Sequence, residues 1–452
     1  MSAPRRLLPT EDWRAHTIGT AADDMRQRLT YDFCMNTYTP IDRSRRHRVG
    51  HAVATAAAVA LLVAATACTS GGDAAVRSTS SAPPTSLAPT TTTPTQPPET
   101  SAPPTSLVPP TTSPADAARR ALLSGVLDSH HAAGEFVGAR IALLDRDGTV
   151  TEVAAGTTTV DPTSAPVDPN VAWNVGSVTK TFVAVVVLQL AEEGKIDLDA
   201  GIDVYMPSLP GADRITPRQL LQHTSGLGEY IDKPAVLADG QREWTPSELI
   251  AVAEAAGRVG EPGGPHHYSN TNYLVLGEII KQVTGNSWSD EVRTRIVEPL
   301  GMTNTSAMKN ERPTGYKVVD GSLVDATSTQ DPSVGGAAGS IQSTARDLLL
   351  FAKALAHGAL LSPDSQTAMQ AFVPGDDYSQ FGITHGYGLG LEQYANDTIA
   401  VDGHMGTGEA QSAFIGYDTA HDTAIAVMTN TAVPGPQAIM GFETLIAISQ
   451  AG

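Results

Sequence analysis

Two stretches of this chain place a serine three residues before a lysine: Ser177-Val178-Thr179-Lys180 and Ser306-Ala307-Met308-Lys309. Their surroundings separate them. Ser177 follows Trp173-Asn174-Val175-Gly176 and opens an apolar run that reads as a buried helix. Ser306 sits in a polar turn with no such helix after it. At a helix N-terminus the free backbone N–H groups and the helix dipole stabilise developing negative charge. Lys180, three residues on, shares the face of Ser177. Burial beside an apolar helix lowers a lysine pKa, and the neutral amine can then take the serine proton. Ser177 is the candidate nucleophile and Lys180 its candidate base; a serine N-cap beside a surface lysine is the bland alternative. No Gly-x-Ser-x-Gly elbow occurs, which argues against an α/β-hydrolase.

Two further strings carry useful groups. Tyr268-Ser269-Asn270 lies in a loop just before an expected helix. A phenol near a lysine can relay a proton, and a carboxamide can hold a substrate amide or orient the lysine. Tyr394-Ala395-Asn396 repeats the pattern among acids in an expected hairpin and is set aside. His404-Met405-Gly406 occurs once, where an expected strand ends. Gly406 lets a substrate approach the strand backbone, and the next amide, Thr407, can be a second oxyanion donor beside that of Ser177.

Ser-x-x-Lys, then Tyr-Ser-Asn, then His-x-Gly, in that order, resembles the penicillin-recognising serine hydrolases: class C β-lactamases, D-alanyl-D-alanine carboxypeptidases and related esterases. The stretch 215–227 (ITPRQLLQHTSGL), Leu300-Gly301-Met302 and Tyr387-Gly388-Leu389-Gly390-Leu391 resemble that family too. The resemblance covers about residues 120–450. It implies an acylated Ser177, Lys180 as its base, Tyr268 as proton relay to the leaving group and Asn270 against the acyl amide. It implies oxyanion amides at Ser177 and Thr407, a close approach at Gly406, a turn role for Ser225, and no metal or cofactor. His404 stands where β-lactamases usually carry lysine, which resembles the carboxypeptidase and esterase branches.

These groups need a scaffold. Residues 137–144 and 149–155 flank Asp145-Arg146-Asp147-Gly148, a hairpin pattern. Strand-like runs recur at 398–404, 411–416 and 423–429, followed by a helix at 436–449. The middle reads as helical: 177–193 apolar nearly all round, Thr216-Pro217 as a helix start, then 271–284 and 344–356. Thr344 with Asp347 has the spacing of a capping box. The expected architecture is an α/β (α+β), serine β-lactamase-like fold. Its antiparallel sheet is built from both termini and flanked by helices, with a mainly helical insertion.

Composition bounds the rest. The chain has 452 residues and a formal charge of −19, which argues against nucleic acid as a partner. Cys34 and Cys68 are too few for a disulfide scaffold or a four-cysteine zinc site, and adjacent His266 and His267 read as loop residues. Residues 52–67 are apolar or small without a charge, preceded by Arg43-Ser44-Arg45-Arg46-His47-Arg48. Residues 35–67 read as a signal peptide. Ala65-Thr66-Ala67-Cys68 resembles the lipobox of bacterial lipoproteins, which implies lipidation at Cys68. Residues 1–34 then read as an upstream extension from a misassigned start. The Ser/Thr/Pro-rich remainder of 68–115 is expected to be a disordered tether, and 116–452 the hydrolase domain.

The expectation is an exported serine hydrolase, lipid-anchored to the outer face of the plasma membrane near peptidoglycan. It would form an acyl-enzyme with a small peptide, amide or ester. A weak β-lactamase and a non-catalytic wall-binding lipoprotein on the same fold are the competing readings. A neutral His404 is expected to accept from Tyr268 and to set an acidic limb in the pH profile. Glu392 follows the Tyr-Gly-Leu-Gly-Leu string where the carboxypeptidases this chain resembles carry Arg, and no Lys or Arg follows Lys353. A carboxylate receptor needs a fixed Arg, so poor carboxypeptidase activity is expected unless a distant Arg, such as Arg346, swings in while Glu392 faces solvent.

Overall fold

The computed structural model describes residues 113–379 and 382–451. The extension at 1–34, the signal segment, Cys68 and nearly all of the tether lie outside the described residues. Helix α1 (Pro114–Ala132) opens the described chain two residues before the expected domain boundary. Ser113 and Asp116 close a reciprocal capping box around Pro114.

Eight strands form one antiparallel sheet. In chain order they are β1 (Gly138–Leu144), β2 (Val150–Gly156), β3 (Val373–Pro374), β4 (Thr384–Tyr387), β5 (Glu392–Ala395), β6 (Ala400–Thr407), β7 (Ser412–Asp418) and β8 (Thr423–Thr429). Their spatial order is β2-β1-β8-β7-β6-β5-β4-β3. The β1–β2 hairpin thus docks on the last strand, with Ile141 opposite Val427, so strands from both ends of the described chain complete the sheet. β1, β7 and β8 are buried along their whole length, because helices cover both faces. Alternate residues divide between two cores. Ile141, Ile425, Val427 and Phe414 meet Leu123 and Leu127 of α1 and Met440 and Leu445 of the C-terminal helix (Pro436–Ala451). Ala142, Ile415, Ala426 and Met428 face the opposite side, towards α2 (Val178–Glu192) and α6 (Ala345–Ala356).

The insertion holds α3 (Pro217–Leu221), α4 (Thr271–Thr284) and α5 (Pro332–Gly339), among other helical segments. Helix α2 runs through the middle, apolar nearly all round as its composition required, with Phe182 stacked on Phe351 of α6 at 3.7 Å between ring centroids. Thr216 and Gln219 form the full capping box of α3. The box expected at α6 is only half made. Thr344 accepts from the Asp347 amide, but the Asp347 carboxylate turns to the Asn304 N–H and the Thr305 hydroxyl, both at 2.8 Å. It pins the loop after Leu300-Gly301-Met302 instead of closing its own helix.

Candidate active site

Ser177 stands at the start of α2 on a turn fixed from three sides. Asn174 donates through Nδ2 to the carbonyls of Gly339 and Ile341, and its Oδ1 accepts from the Gly176 N–H. The Asn174 N–H in turn donates to Gln411 Oε1 at 2.6 Å. Gly176 has φ 52°, a conformation that favours glycine, and a Cβ there would sit 2.7 Å from Thr407 N. On the facing strand, a Cβ on Gly406 would sit 2.0 Å from Val175 O and 2.9 Å from Ser177 N. Two glycines therefore let the serine turn and the end of β6 touch backbone to backbone. The Ser177 side chain makes no capping hydrogen bond to its helix and the residue is half-buried.

The bland reading of Lys180 as a surface residue fails: it is wholly buried. Nζ lies 2.9 Å from Ser177 Oγ, 2.7 Å from Asn270 Oδ1 and 2.8 Å from Ala338 O of α5. A backbone carbonyl can only accept. Asn270 Oδ1 must also accept, because the amide's Nδ2 donates to Glu229 Oε2 at 2.9 Å. A neutral amine has two N–H groups and one lone pair. The two acceptors take the N–H groups, and the lone pair is left facing the Ser177 hydroxyl. Burial pulls the Lys180 pKa down to about 7, against the opposing pull of the Glu229 and Glu392 carboxylates. Near neutral pH the arrangement can therefore move a proton from Ser177 to Lys180.

Tyr268 and Asn270 are both brought to this centre. The Tyr268 hydroxyl faces Ser177, and its ring lies 4.9 Å from Lys180 Nζ. Burial, then the Glu392 charge, hold the Tyr268 pKa well above that of free tyrosine, so the phenol keeps its proton and is available as a donor. Of the two roles open to Asn270, the structure shows it orienting the lysine. Glu229 behind it escaped the sequence reading. Its carboxylate accepts the N–H groups of Tyr230 and Ile231 on one oxygen and the Asn270 N–H and Nδ2 on the other. A lone Glu after Gly-Leu-Gly carries no signal of such a role.

His404 reaches the site with a different partner from the one expected. Its Nε2 meets the Tyr387 hydroxyl at 2.9 Å, not Tyr268, and its Nδ1 meets Met405 O at 2.6 Å. Burial and the neighbouring Lys180 charge lower its pKa to about 3. The expectation that His404 titrates between pH 5 and 8 is therefore corrected: the ring stays neutral there. Thr407 ends β6. Gly408 N donates to Gln411 O across the following turn, and the alternation of an antiparallel pair then turns the Thr407 N–H away from β7.

Glu392 does not face solvent. It is buried, and Oε2 accepts from the Tyr394 hydroxyl at 2.6 Å and the Met405 N–H at 2.8 Å. Burial raises its pKa. Arg346 does not swing in either, since its Nε is bridged to Glu152 of β2 at 2.7 Å, five strand positions from β5. At about 4.8 Å per strand that separation far exceeds an arginine side chain.

Of the residues set aside, Ser306 lies outside the site, while Tyr394 touches it only through Glu392. Ser306 is exposed in a two-residue strand, and Tyr394 packs against Phe442 near the C-terminal helix. Ser225 is buried in its turn, accepting from the Leu227 N–H and bonded to Asn272. The described loop containing His266 and His267 ends at the site: the His266 ring stands 5.2 Å from that of Tyr387.

The Beta-lactamase family model matches residues 123–447. The putative penicillin-binding protein PbpX of Bacillus subtilis is 32% identical over 237 residues, 51% of this chain and only 57% of that protein's length. Penicillin-binding protein 4 of Amycolatopsis lactamdurans is 26% identical over 325 residues, 67% of this chain and 82% of that protein. Among solved structures, a D-stereospecific amidohydrolase from Streptomyces sp. is similar with a TM-score of 0.61 and 30% identity, covering 73% of this chain and 98% of that one. The D-amino acid amidase of Ochrobactrum anthropi SV3, complexed with L-phenylalanine amide, gives a TM-score of 0.66 and 28% identity, covering 74% and 99%. With a family match over most of the chain, this protein belongs to the beta-lactamase family of penicillin-recognising serine hydrolases.

Proposed function

We propose that the protein is an exported, lipid-anchored hydrolase that forms an acyl-enzyme on Ser177 and cleaves small amides or esters, including D-amino acid amides or related cell-wall peptides. The observation that carries this reading is the set of three partners around Lys180 Nζ, which leaves the lone pair for the Ser177 proton. Ser177 Oγ attacks the substrate carbonyl as Lys180 takes its proton. The oxyanion is met by the Ser177 and Thr407 N–H groups, and Tyr268 gives a proton to the departing amine or alcohol as Lys180 restores one to the phenolate. Water then attacks the ester on Ser177 and releases the acid.

The substrate end supports amides and neutral esters over free carboxylates. Glu392 occupies the position of the carboxypeptidase Arg, and its carboxylate is committed to Met405 and Tyr394. Exchanging it for Arg would unpair the Met405 N–H before it offered a receptor. A panel of D-phenylalanine amide, p-nitrophenyl acetate, a D-Ala-D-Ala peptide and a cephalosporin tests the reading. Amide and ester turnover should exceed D-Ala release, with the cephalosporin hydrolysed slowest. Release of D-Ala faster than ester cleavage would overturn this preference.

The base form of Lys180 is the neutral one, so kcat/KM for a neutral ester should fall as pH drops through about 7. His404→Gln should keep that limb, because His404 does not titrate there; loss of the limb in this variant would return its origin to the histidine. Gly406→Ala should cut ester turnover by about 100-fold or more, since its Cβ collides with Val175 O and pushes Thr407 from Ser177. A crowded core position of this kind also costs about 1–3 kcal/mol in thermal unfolding. Near-normal turnover in Gly406→Ala would show that the two backbones need not touch.

A further inference from the structure

Strand β6 outruns its neighbour. β5 pairs with residues 400–403 only, the last pair being Glu392 with Gly403. Beyond it, the residues that address the β5 side are Met405 and Thr407, by the alternation of the ladder. Both backbone groups of Met405 are taken by side chains: its N–H by Glu392 Oε2 at 2.8 Å, its carbonyl by His404 Nδ1 at 2.6 Å. Thr407 is the next residue with the same orientation. Side-chain caps at Met405 therefore fix where the open edge begins.

His404 can bond the Met405 carbonyl only if its proton sits on Nδ1, and a connected set of hydrogen bonds dictates that tautomer. The Ser269 backbone N–H, which can only donate, points at His223 Nδ1 at 3.2 Å. Asn272 Nδ2 donates to the same nitrogen at 2.9 Å, its orientation set by Ser225 Oγ on Oδ1 at 2.5 Å. The His223 proton is thus on Nε2 and is given to the Tyr387 oxygen at 3.2 Å. Tyr387 then donates to His404 Nε2 at 2.9 Å, which leaves the His404 proton on Nδ1 for Met405 O. The donors run in one sense from the His223-Thr224-Ser225-Gly226 turn to the end of β6. His223 holds φ 58° to take its place there.

We infer that His223 and Tyr387 are positioning residues: acting through His404, they lock the Met405 carbonyl and so set the place at which the Thr407 N–H is presented beside Ser177. This inference rests on the Ser177 hydrolase reading for its effect on rate, but not for its effect on the His404 ring. The charged or titratable groups around that ring are Lys180 from α2, Tyr387 and His385 from β4, Glu392 from β5 and His223 from the turn after α3.

The test is nitrogen NMR of the histidine rings, with ester kinetics, on the full chain as wild type, Tyr387→Phe and His223→Asn. Asn tolerates the left-handed backbone at 223, so the second variant keeps the fold if the first does not. The wild type should show His404 as the Nδ1–H tautomer, unchanged from pH 5 to 8. Both variants should lose that fixed tautomer. With p-nitrophenyl acetate, kcat should fall by about tenfold to 100-fold with KM little changed. A His404 ring that stays Nδ1–H in both variants, or a kcat within twofold of wild type where the tautomer is lost, overturns the inference. An inactive wild type would count against the Ser177 reading, while the tautomer still decides the relay.

Discussion

Lys180→Met should lower acylation of p-nitrophenyl acetate by about 10³-fold or more, because it removes the group that takes the Ser177 proton. Stability should move far less. Burying a lysine whose pKa is pulled from 10.5 to about 7 opposes folding by several kcal/mol. That penalty is full below pH 7 and fades as the pH rises towards 10.5. Methionine, of similar length, removes it. The same change strips partners from Asn270 Oδ1 and Ala338 O, which costs about 1–3 kcal/mol for each buried acceptor. The two effects offset, so Tm should shift by only a few degrees while activity collapses. Stopped-flow acylation and thermal unfolding of the variant check both halves. Retained acylation would remove Lys180 from the role of base.

Glu229→Gln should reduce kcat by about 100-fold. The carboxylate accepts four N–H groups, two of them from Asn270. A carboxamide has one oxygen and an NH₂ that faces donors, so Asn270 loses its anchor and no longer presents Oδ1 to Lys180. The loss of charge adds a signature that misfolding alone would not give. The Glu229 carboxylate raises the Lys180 pKa, so its removal should move the acidic limb to lower pH even as the plateau falls. A limb that stays in place would assign Glu229 a purely structural role.

Much of the scaffold was legible because local pattern and tertiary demand agree. The apolar run after Ser177 needed a helix buried on every side, and α2 is one. The Asp145–Gly148 turn and the three late strand runs became β1–β2 and β6–β8. Helix α1 was missed although its signal, Ser113-Pro114 followed by Asp116, was present; the Pro- and Ala-rich composition merges it with the tether. In the site, Ser177 and Lys180 are joined by helical spacing and could be paired from sequence. Partners that meet only in the folded chain could not. Tyr387 takes the place expected of Tyr268 beside His404 because β4 lies next to β5 in the sheet and brings the phenol across. Glu392 turned inward because the unpaired Met405 N–H needed an acceptor where β5 ends. Arg140 is silent in the sequence for the same reason. It is wholly buried, donates to the carbonyls of Asp168, Pro169 and Val171, and lies over Trp173, steadying the segment that leads to Ser177.

A covalent intermediate on one serine can be trapped directly. Wild type and Ser177→Ala are incubated with a fluorophosphonate and, separately, with a fluorescent penicillin, then weighed intact and mapped by peptide mass. One adduct per chain is expected from the fluorophosphonate, located on the peptide that holds Ser177 and absent from Ser177→Ala. Penicillin should mark the same residue, more weakly. An adduct on Ser306, equal labelling of Ser177→Ala, or no labelling of wild type by either reagent would contradict it.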